Sequence, residues 1–118
     1  RELFEYKIYS LQRRTDLIVT GGENVYPAEV EAVLRQHPAV AAVCVVGVPH
    51  PEWGQQVAAM VVLQPAHQVT GEALLAFARP HLAGYKIHRR FRFADQLPQT
   101  SSGKIARAQV QQQFTTEA

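Results

Sequence analysis

The sequence is poor in cysteine, in long apolar runs and in excess charge of either sign. A single cysteine excludes an internal disulfide and suits the reducing cytoplasm, where we expect the protein to reside. No apolar run is long enough to cross a bilayer and no signal-peptide pattern is present, so we expect no membrane span. The net charge of +2 is too small to predict a nucleic-acid partner.

The sequence also lacks the residue patterns of a self-contained catalytic centre. Its five histidines are scattered without metal-ligand spacing, which predicts no metal site; they are His37, His50, His67, His81 and His88. There is no Ser-His-Asp or Cys-His pattern and no glycine-rich ATP phosphate loop. Cys44 lies in the apolar run 40–48, where a buried, inert thiol is expected instead of a nucleophile. We therefore expect the chain by itself to be catalytically inactive and to bind no cofactor.

What the chain does have is the composition of one globular domain. With 118 residues, of which 47% are hydrophobic and 19% charged, it is long enough for one core and too short for two domains. The sequence begins with Arg1 and not with methionine, so we expect it to be a piece of a longer protein.

The hydrophobic pattern predicts the element order ββαββαβα. Strands are expected at 3–11, 17–19, 40–48, 56–63 and 90–93, and helices at 27–36, 71–82 and 105–114. Pro27 suits the first position of a helix, Thr70 can cap the second helix, and Pro80 should disturb its last turn. The β-branched run 40–48 is typical of a buried central strand. This order predicts an α+β domain with helices packed on a small mixed sheet, preceded by a short N-terminal hairpin.

Two glycine-containing loops are the candidate functional segments. Residues 98–107 place Lys104 on a loop of small polar residues, in which Gly103 permits backbone angles closed to other residues. Taken alone, Lys104 is more typical of a solubilising surface charge, although lysine also supplies a compact, mobile cation to a ligand. Upstream, Gly21-Gly22 is compatible with a ligand-binding loop or with a plain hairpin turn. The combination of the two loops favours a functional site.

Four segments match, in order and spacing, the motifs of one family. They are 13–16 (Arg-Arg-Thr-Asp), 21–31 (beginning Gly-Gly-Glu-Asn-Val-Tyr-Pro), 53–54 (Trp-Gly) and 97–104 (Leu-Pro through Gly-Lys). From Tyr9 to Val110 the sequence resembles the C-terminal domain of the adenylate-forming enzymes, the superfamily of acyl- and aryl-CoA ligases, luciferases and peptide-synthetase adenylation domains. The sequence of 21–27 favours CoA ligases over peptide-synthetase domains. The combination of 13–16 (Arg-Arg-Thr-Asp) with 82–87 looks most like the o-succinylbenzoate–CoA ligases of menaquinone synthesis.

The resemblance implies that 1–118 is a single C-terminal lid domain, with a strand and hinge segment at 1–16 and an α+β body at 17–118. Its partner would be the enzyme's own large N-terminal adenylation domain, which this sequence does not contain. The whole enzyme would convert a carboxylic acid and ATP, with Mg, to an acyl-adenylate, and then transfer the acyl group to CoA with release of AMP. Lys104 matches the catalytic lysine of the first half-reaction.

The hinge motif implies two further roles. Arg13 matches an arginine that approaches the nucleotide, and Thr15 occupies the pivot position, where many members have Asp or Lys. A small hydroxyl residue is compatible with rotation, because a hinge needs tolerant backbone dihedrals and no particular side chain.

A second set of residues is implied to lie next to CoA: Gly21, Gly22, Glu23, Trp53, Tyr85, Lys86 and Arg89. The glycines would let the pantetheine arm pass close to the backbone. Lys86 and Arg89 are the candidates for the phosphates of CoA, with Tyr85 alongside. The sequence departs from some relatives here, since Ile87 stands where a basic residue can occur and His88 where proline is usual.

Other interpretations remain open at the level of sequence. The acceptor could be the thiol of a carrier protein instead of free CoA. A different class would be a small module that binds RNA or another phosphate-rich partner through the basic strand around Arg89 and Arg92, although interleaved surface aromatics and strong positive charge are missing. Trp53, taken alone, is also compatible with a place in the core.

Overall fold

The computed structural model describes residues 16–87 and 89–116. The predicted strand at 3–11, and with it the N-terminal hairpin, lies outside the described residues. The same holds for Arg13, Thr15 and His88.

The described elements follow one another as ββαββαβα. The strands are β1 (Ile18–Thr20), β2 (Glu23–Val25), β3 (Val40–His50), β4 (Gly54–Leu63) and β5 (Arg90–Phe93); the helices are α1 (Pro27–Leu34), α2 (Gly71–Ala78) and α3 (Arg107–Thr116), and a 3-10 turn covers Gly84–Lys86. All three helices and four of the predicted strands are confirmed. The strand β2 was not predicted, because three residues are too few for an alternation to be recognised.

Local chemistry explains where the helices begin and end. Pro27 is the first residue of α1, where its missing N–H costs no hydrogen bond. The hydroxyl of Thr70 accepts a hydrogen bond of 3.0 Å from the N–H of Ala73 and so caps α2. The predicted end of α2 at residue 82 is wrong, because the helix stops at Ala78, two residues ahead of Pro80.

The five described strands form one mixed sheet in which β4 is central. Its neighbours are β3 (antiparallel, along almost its whole length), β5 (parallel) and β1 (antiparallel, at Gly54), and β2 continues the sheet beyond β1. The predicted mixed sheet is thus confirmed. The prediction of a central strand at 40–48 is wrong, because within the described residues β3 pairs with β4 alone. It is nevertheless buried, because layers of side chains cover both of its faces.

Alternating residues of β3 and β4 supply two cores on opposite faces of the sheet. Odd-numbered residues such as Val43 and Val57 pack with Val30 of α1 and Leu74 of α2. The even-numbered set faces α3 and consists of Cys44, Val46, Val48, Ala58 and Met60, with Val110 and Phe114 from the helix. The result is a layer of helices on each side of the sheet.

Cys44 is fully buried in the second of these cores. Burial raises the pKa of its thiol to about 12, and the neighbouring Arg107 charge opposes that rise without cancelling it. The thiolate that nucleophilic chemistry requires is therefore disfavoured. The expectation of a buried thiol is confirmed.

A buried ion pair closes the outer edge of β3. The guanidinium of Arg107 donates to both carboxylate oxygens of Glu31, at 2.8 and 3.0 Å, and also to the carbonyl of Val45 at 3.0 Å. The carboxylate of Glu31 in turn accepts from the N–H of Val45 at 2.8 Å, and Gln111 donates to the carbonyl of Gly47. These contacts satisfy edge groups that would otherwise be free to pair with another strand, and they join α1 to α3.

Candidate functional site

The Gly21-Gly22 loop is a two-residue turn between β1 and β2. Both glycines have positive φ, 58° and 83°, as the favoured type I′ hairpin turn requires. A Cβ at either position would meet nothing within 4 Å, so glycine is needed for the backbone conformation and not for want of space. The N–H of Gly21 donates to the carbonyl of Trp53 at 2.9 Å, which fixes the hairpin against the β3–β4 turn.

A cleft of about 250 Å³ lies beside this hairpin. Its lining comprises Thr20, Gly21, Glu23, Trp53, Val57, Tyr85 and Arg89. Three separate segments of the chain therefore converge on one cavity: the hairpin, the β3–β4 turn and the stretch around the 3-10 turn. Five of the seven residues predicted to lie next to CoA line it. The other two, Gly22 and Lys86, are chain neighbours of lining residues.

Trp53 is exposed at the mouth of the cleft, with 36% of its surface accessible. Its indole stacks on the imidazole of His50, with ring centroids 4.1 Å apart and planes 11° from parallel. The guanidinium of Arg89 lies 5.1 Å from the centre of the indole, in the range of a cation–π contact. The alternative of a core tryptophan is therefore wrong, and Trp53 forms an aromatic surface in the cleft.

The two predicted phosphate-binding cations differ in their partners. The ammonium of Lys86 forms an ion pair with Glu29 of α1, at 2.9 and 3.0 Å from its two carboxylate oxygens, and lies 5.7 Å from the ring centre of Tyr85. Arg89 is anchored through its backbone N–H, which donates to the carbonyl of Val57 at 2.8 Å, while its side chain is exposed. Among the residues lining the cleft, Arg89 supplies the positive charge and Glu23 the negative charge.

The loop that carries Lys104 is held by its own hydrogen bonds. The N–H of Thr100 donates to the carbonyl of Lys104 at 2.7 Å, that of Gly103 donates to the carbonyl of Thr100 at 3.0 Å, and Gln99 forms a bridge with Ile105. Gly103 has φ of 85°, so a residue with a side chain would be strained there. Lys104 is exposed, and within the described residues its ammonium forms no ion pair.

The cleft and the Lys104 loop belong to different faces of the sheet. Val57, which lines the cleft, packs in the core on the side of α1 and α2. The Lys104 loop leads directly into α3, which packs in the core on the opposite side. The sheet thus carries two chemically distinct loops, one toward each of its faces.

Two contacts near these loops were not predicted from the sequence. The imidazole of His50 accepts hydrogen bonds from the backbone of the turn that carries Trp53. Its position at the start of a tight turn, where Asn and Asp are common side-chain acceptors, was the signal that could have predicted this role. Arg107 holds the base of α3 through Glu31, and no local pattern connects two residues that are 76 positions apart.

No metal ion or membrane is implicated by the part of the chain that the structure describes. Residues 16–87 and 89–116 contain no group of three or more His, Cys, Asp or Glu side chains arranged to hold a metal ion. Over the same residues, each helix is too short or too polar to traverse a lipid bilayer.

The fold places the two loops on one small α+β domain, and comparison with known proteins identifies the class. The family model described as "AMP-binding enzyme C-terminal domain" matches residues 29–104. The match covers well over half of the sequence, and the chain belongs to this family.

Curated relatives have the same residue as this chain at nearly half of the aligned positions. The chain is 46% identical over 104 residues to feruloyl-CoA synthase of Amycolatopsis sp and 48% identical over 105 residues to 2-succinylbenzoate–CoA ligase of Geobacillus sp. (strain WCH70). It is 43% identical over 107 residues to a fatty acid–[acyl-carrier-protein] ligase of Streptomyces coeruleorubidus. These alignments cover 88%, 89% and 91% of this chain but 21% of each relative. The chain therefore spans about a fifth of the length of the curated relatives it matches.

A solved structure supports the same fold. The o-succinylbenzoate CoA synthetase from Bacillus subtilis, in complex with its acyl-adenylate intermediate, superposes with a TM-score of 0.79 at 45% identity. The superposition covers 85% of this chain and 20% of that one. The predicted α+β fold of this family's C-terminal domain is thereby confirmed.

Proposed function

We propose that this chain is the mobile C-terminal lid of an ATP-dependent acid–CoA ligase, and that it serves two half-reactions with two different faces. The observation that carries the proposal is the placement of the Lys104 loop and the Trp53 cleft on opposite sides of one sheet. A body that rotates about a hinge can present each loop in turn to one active site in the partner domain. The family assignment and the names of the relatives support the same reaction class.

In the first half-reaction the acid attacks the α-phosphate of ATP and pyrophosphate leaves. Negative charge is then concentrated between the carboxylate and the phosphate oxygens. The exposed ammonium of Lys104, on a loop that keeps its shape through its own hydrogen bonds, is suited to bridge both groups. In a closed site with little water, such a preorganised charge lowers the barrier by several kcal/mol, roughly 3–4.

In the second half-reaction a thiol attacks the acyl-adenylate and AMP leaves. The hairpin at Gly21-Gly22 has open space around it, so the pantetheine arm can pass close to the backbone there. Trp53 offers an aromatic face and Arg89 an exposed guanidinium to the rest of CoA. Lys86 can contribute to the phosphates only by giving up part of its ion pair with Glu29, so we assign it a smaller share than Arg89.

The hinge is proposed from the resemblance alone. Thr15 would be the pivot and Arg13 would approach the nucleotide, and both lie outside the described residues. Asp16, the first described residue, lines a second cavity of about 260 Å³ together with Arg107 and Gln111 of α3.

We infer o-succinylbenzoate, the acid of menaquinone synthesis, as the first substrate to test. The similarity to ligases for that acid supports this choice, and the similar feruloyl-CoA synthase makes an aromatic hydroxy acid the next. The similar carrier-protein ligase makes a carrier thiol the alternative acceptor. All three choices depend on contacts in the large N-terminal domain.

The full-length enzyme tests the proposal. Incubation with ATP, Mg and a panel of carboxylic acids should release pyrophosphate for the true acid, and addition of CoA should then yield acyl-CoA and AMP. A carrier protein bearing a phosphopantetheine arm is the matched acceptor control. Absence of acid-dependent pyrophosphate release with every acid, in an enzyme that binds ATP, would contradict the ligase assignment.

Replacing Arg89 with alanine in that enzyme should raise the KM for CoA about tenfold and leave the rate of adenylate formation unchanged. A charge-assisted contact to phosphate is worth roughly 1.5–3 kcal/mol, and screening by salt and solvent reduces this for an exposed side chain. The difference from wild type should therefore be largest at low ionic strength. Steady-state kinetics with CoA at two salt concentrations measure it.

Two controls make the Arg89 result specific. Pantetheine lacks the nucleotide phosphates of CoA, so the variant and the wild type should use it equally well. Arg35→Ala removes the same charge from the end of α1, outside the cleft, and should leave the KM for CoA within about twofold. An unchanged KM for CoA in Arg89→Ala would refute the phosphate contact.

A further inference from the structure

The turn that carries Trp53 is organised by a single side chain. Nδ1 of His50 accepts hydrogen bonds from the backbone N–H of Glu52 and of Trp53, each 3.1 Å long. One imidazole nitrogen thus satisfies two donors of the turn, as the oxygen of an Asn or Asp side chain does at a helix N-cap or an Asx-turn. The two donors require Nδ1 to be unprotonated, which assigns the ring proton to Nε2.

The same imidazole also contacts the Trp53 ring. With centroids 4.1 Å apart and planes 11° from parallel, His50 lies flat against the indole. The hydrogen bond to Nδ1 therefore fixes the backbone of Trp53, and the stacked imidazole fixes the orientation of its indole ring. Arg89, 5.1 Å from the indole centre, is the third member of this group.

We propose that His50 is a positioning residue for the cleft: it holds Trp53 in place for the acceptor that carries the pantetheine arm. This rests on the proposed function of the cleft. His50 does not line the cleft and so acts through Trp53 and not on the acceptor itself.

Two variants separate the two contributions of His50. His50→Asn keeps an acceptor for the two N–H groups but removes the stacking ring, and His50→Phe keeps a stacking ring but removes the acceptor. In the full-length enzyme, His50→Phe should raise the KM for CoA about tenfold, in keeping with the loss of two hydrogen bonds. The KM of His50→Asn should stay within about threefold of wild type.

Adenylate formation should be the same in all three proteins. A purely structural role would instead reduce both half-reactions together. A KM for CoA in His50→Phe equal to that of wild type would overturn the proposal.

A second readout does not depend on the proposed function. Trp53 is the only tryptophan of the 118-residue chain, so its fluorescence reports directly on the imidazole stacked against it. His50→Asn removes that ring and should change the emission of the chain. If the enzyme forms no acyl-CoA but the emission changes in this variant, the proposed function fails and the pairing of His50 with Trp53 stands. An emission spectrum that His50→Asn leaves unchanged would refute the pairing.

Discussion

Replacing Lys104 with alanine in the full-length enzyme is expected to slow adenylate formation by about 10²–10³-fold, which corresponds to roughly 3–4 kcal/mol of transition-state stabilisation. Transfer of the acyl group from supplied acyl-adenylate to CoA should stay within about twofold of wild type. The reason is that the Lys104 loop and the CoA cleft lie on different faces of the sheet, so only one of them can meet the active site at a time.

The structure indicates that alanine at position 104 removes the ammonium group without changing the conformation of the loop. The loop is shaped by backbone hydrogen bonds between Thr100, Gly103 and the backbone of Lys104, and none of them involves the ammonium group. The side chain is exposed, so its removal leaves no cavity and no buried partner. Lys104→Arg keeps the charge but spreads it over a larger planar group, and should restore only part of the rate.

Acid-dependent exchange of pyrophosphate into ATP measures the first half-reaction, and acyl-CoA formation from synthetic adenylate measures the second. The wild-type enzyme, assayed in parallel, sets the reference for both. Equal losses in the two assays would contradict a role confined to adenylation and would point to a general defect in the lid.

Much of the fold follows from local sequence, because the signals that define it act over a few residues. The run 40–48 is apolar and rich in valine, which predicted a buried strand, and the valine-rich run 56–63 predicted another strand. Thr70 marked the start of α2, and Pro80 was predicted to disturb its last turn, whereas the helix ends before that residue, at Ala78. The Gly21-Gly22 pair marked a turn whose positive φ angles are now explicit.

What local sequence did not reveal is which strand pairs with which. The central strand is β4 and not β3, because β5, which arrives about thirty residues later, adds to β4 in parallel. Nothing in the composition of 40–48 distinguishes an outer strand covered by Glu31 and Arg107 from a central strand. The covering side chains come from helices distant in sequence, and such non-local contacts leave no periodic signal.

The residues of the candidate site that belong to a sequence motif could be predicted, whereas the contacts that depend on packing could not. The resemblance selected residues from three segments, and five of its seven CoA residues line one cleft. It could not reveal that Lys86 is already paired with Glu29, 57 positions away, or that His50 supports Trp53. These are contacts between side chains, and only the folded arrangement brings them together.

The ion pair of Glu31 with Arg107 joins α1, on one face of the sheet, to α3 on the other. The Glu31 side chain is 3% exposed and that of Arg107 24%. Burial by itself lowers the pKa of the guanidinium, but the hydrogen bond and charge of Glu31 more than offset this and raise it, so Arg107 stays charged. Arg35 adds a longer contact to Glu31, at 3.6 Å from the carboxylate.

Replacing Arg107 with methionine should destabilise the chain by about 3–5 kcal/mol, because it removes the nearest cation from the buried Glu31 carboxylate and the donor from the carbonyl of Val45. The side chain of methionine is close in length to the aliphatic part of arginine, so the loss is of charge and hydrogen bonds more than of packing. Chemical denaturation followed by circular dichroism measures the free energy of unfolding. A decrease below 1 kcal/mol would contradict a structural role for the pair.

Two further variants separate the buried pair from ordinary surface charge. Glu29→Gln breaks the more exposed ion pair with Lys86, and should cost no more than about 1 kcal/mol. The double variant Glu31→Met, Arg107→Met removes both buried charges together, and should recover much of the stability that Arg107→Met loses, since the largest penalty is an unpaired charge in the interior. If the double variant is instead as unstable as the sum of its two single variants, the loss arises from packing and from the bonds to Val45. The stability of the chain would then depend on the covered edge of β3 and not on the ion pair itself.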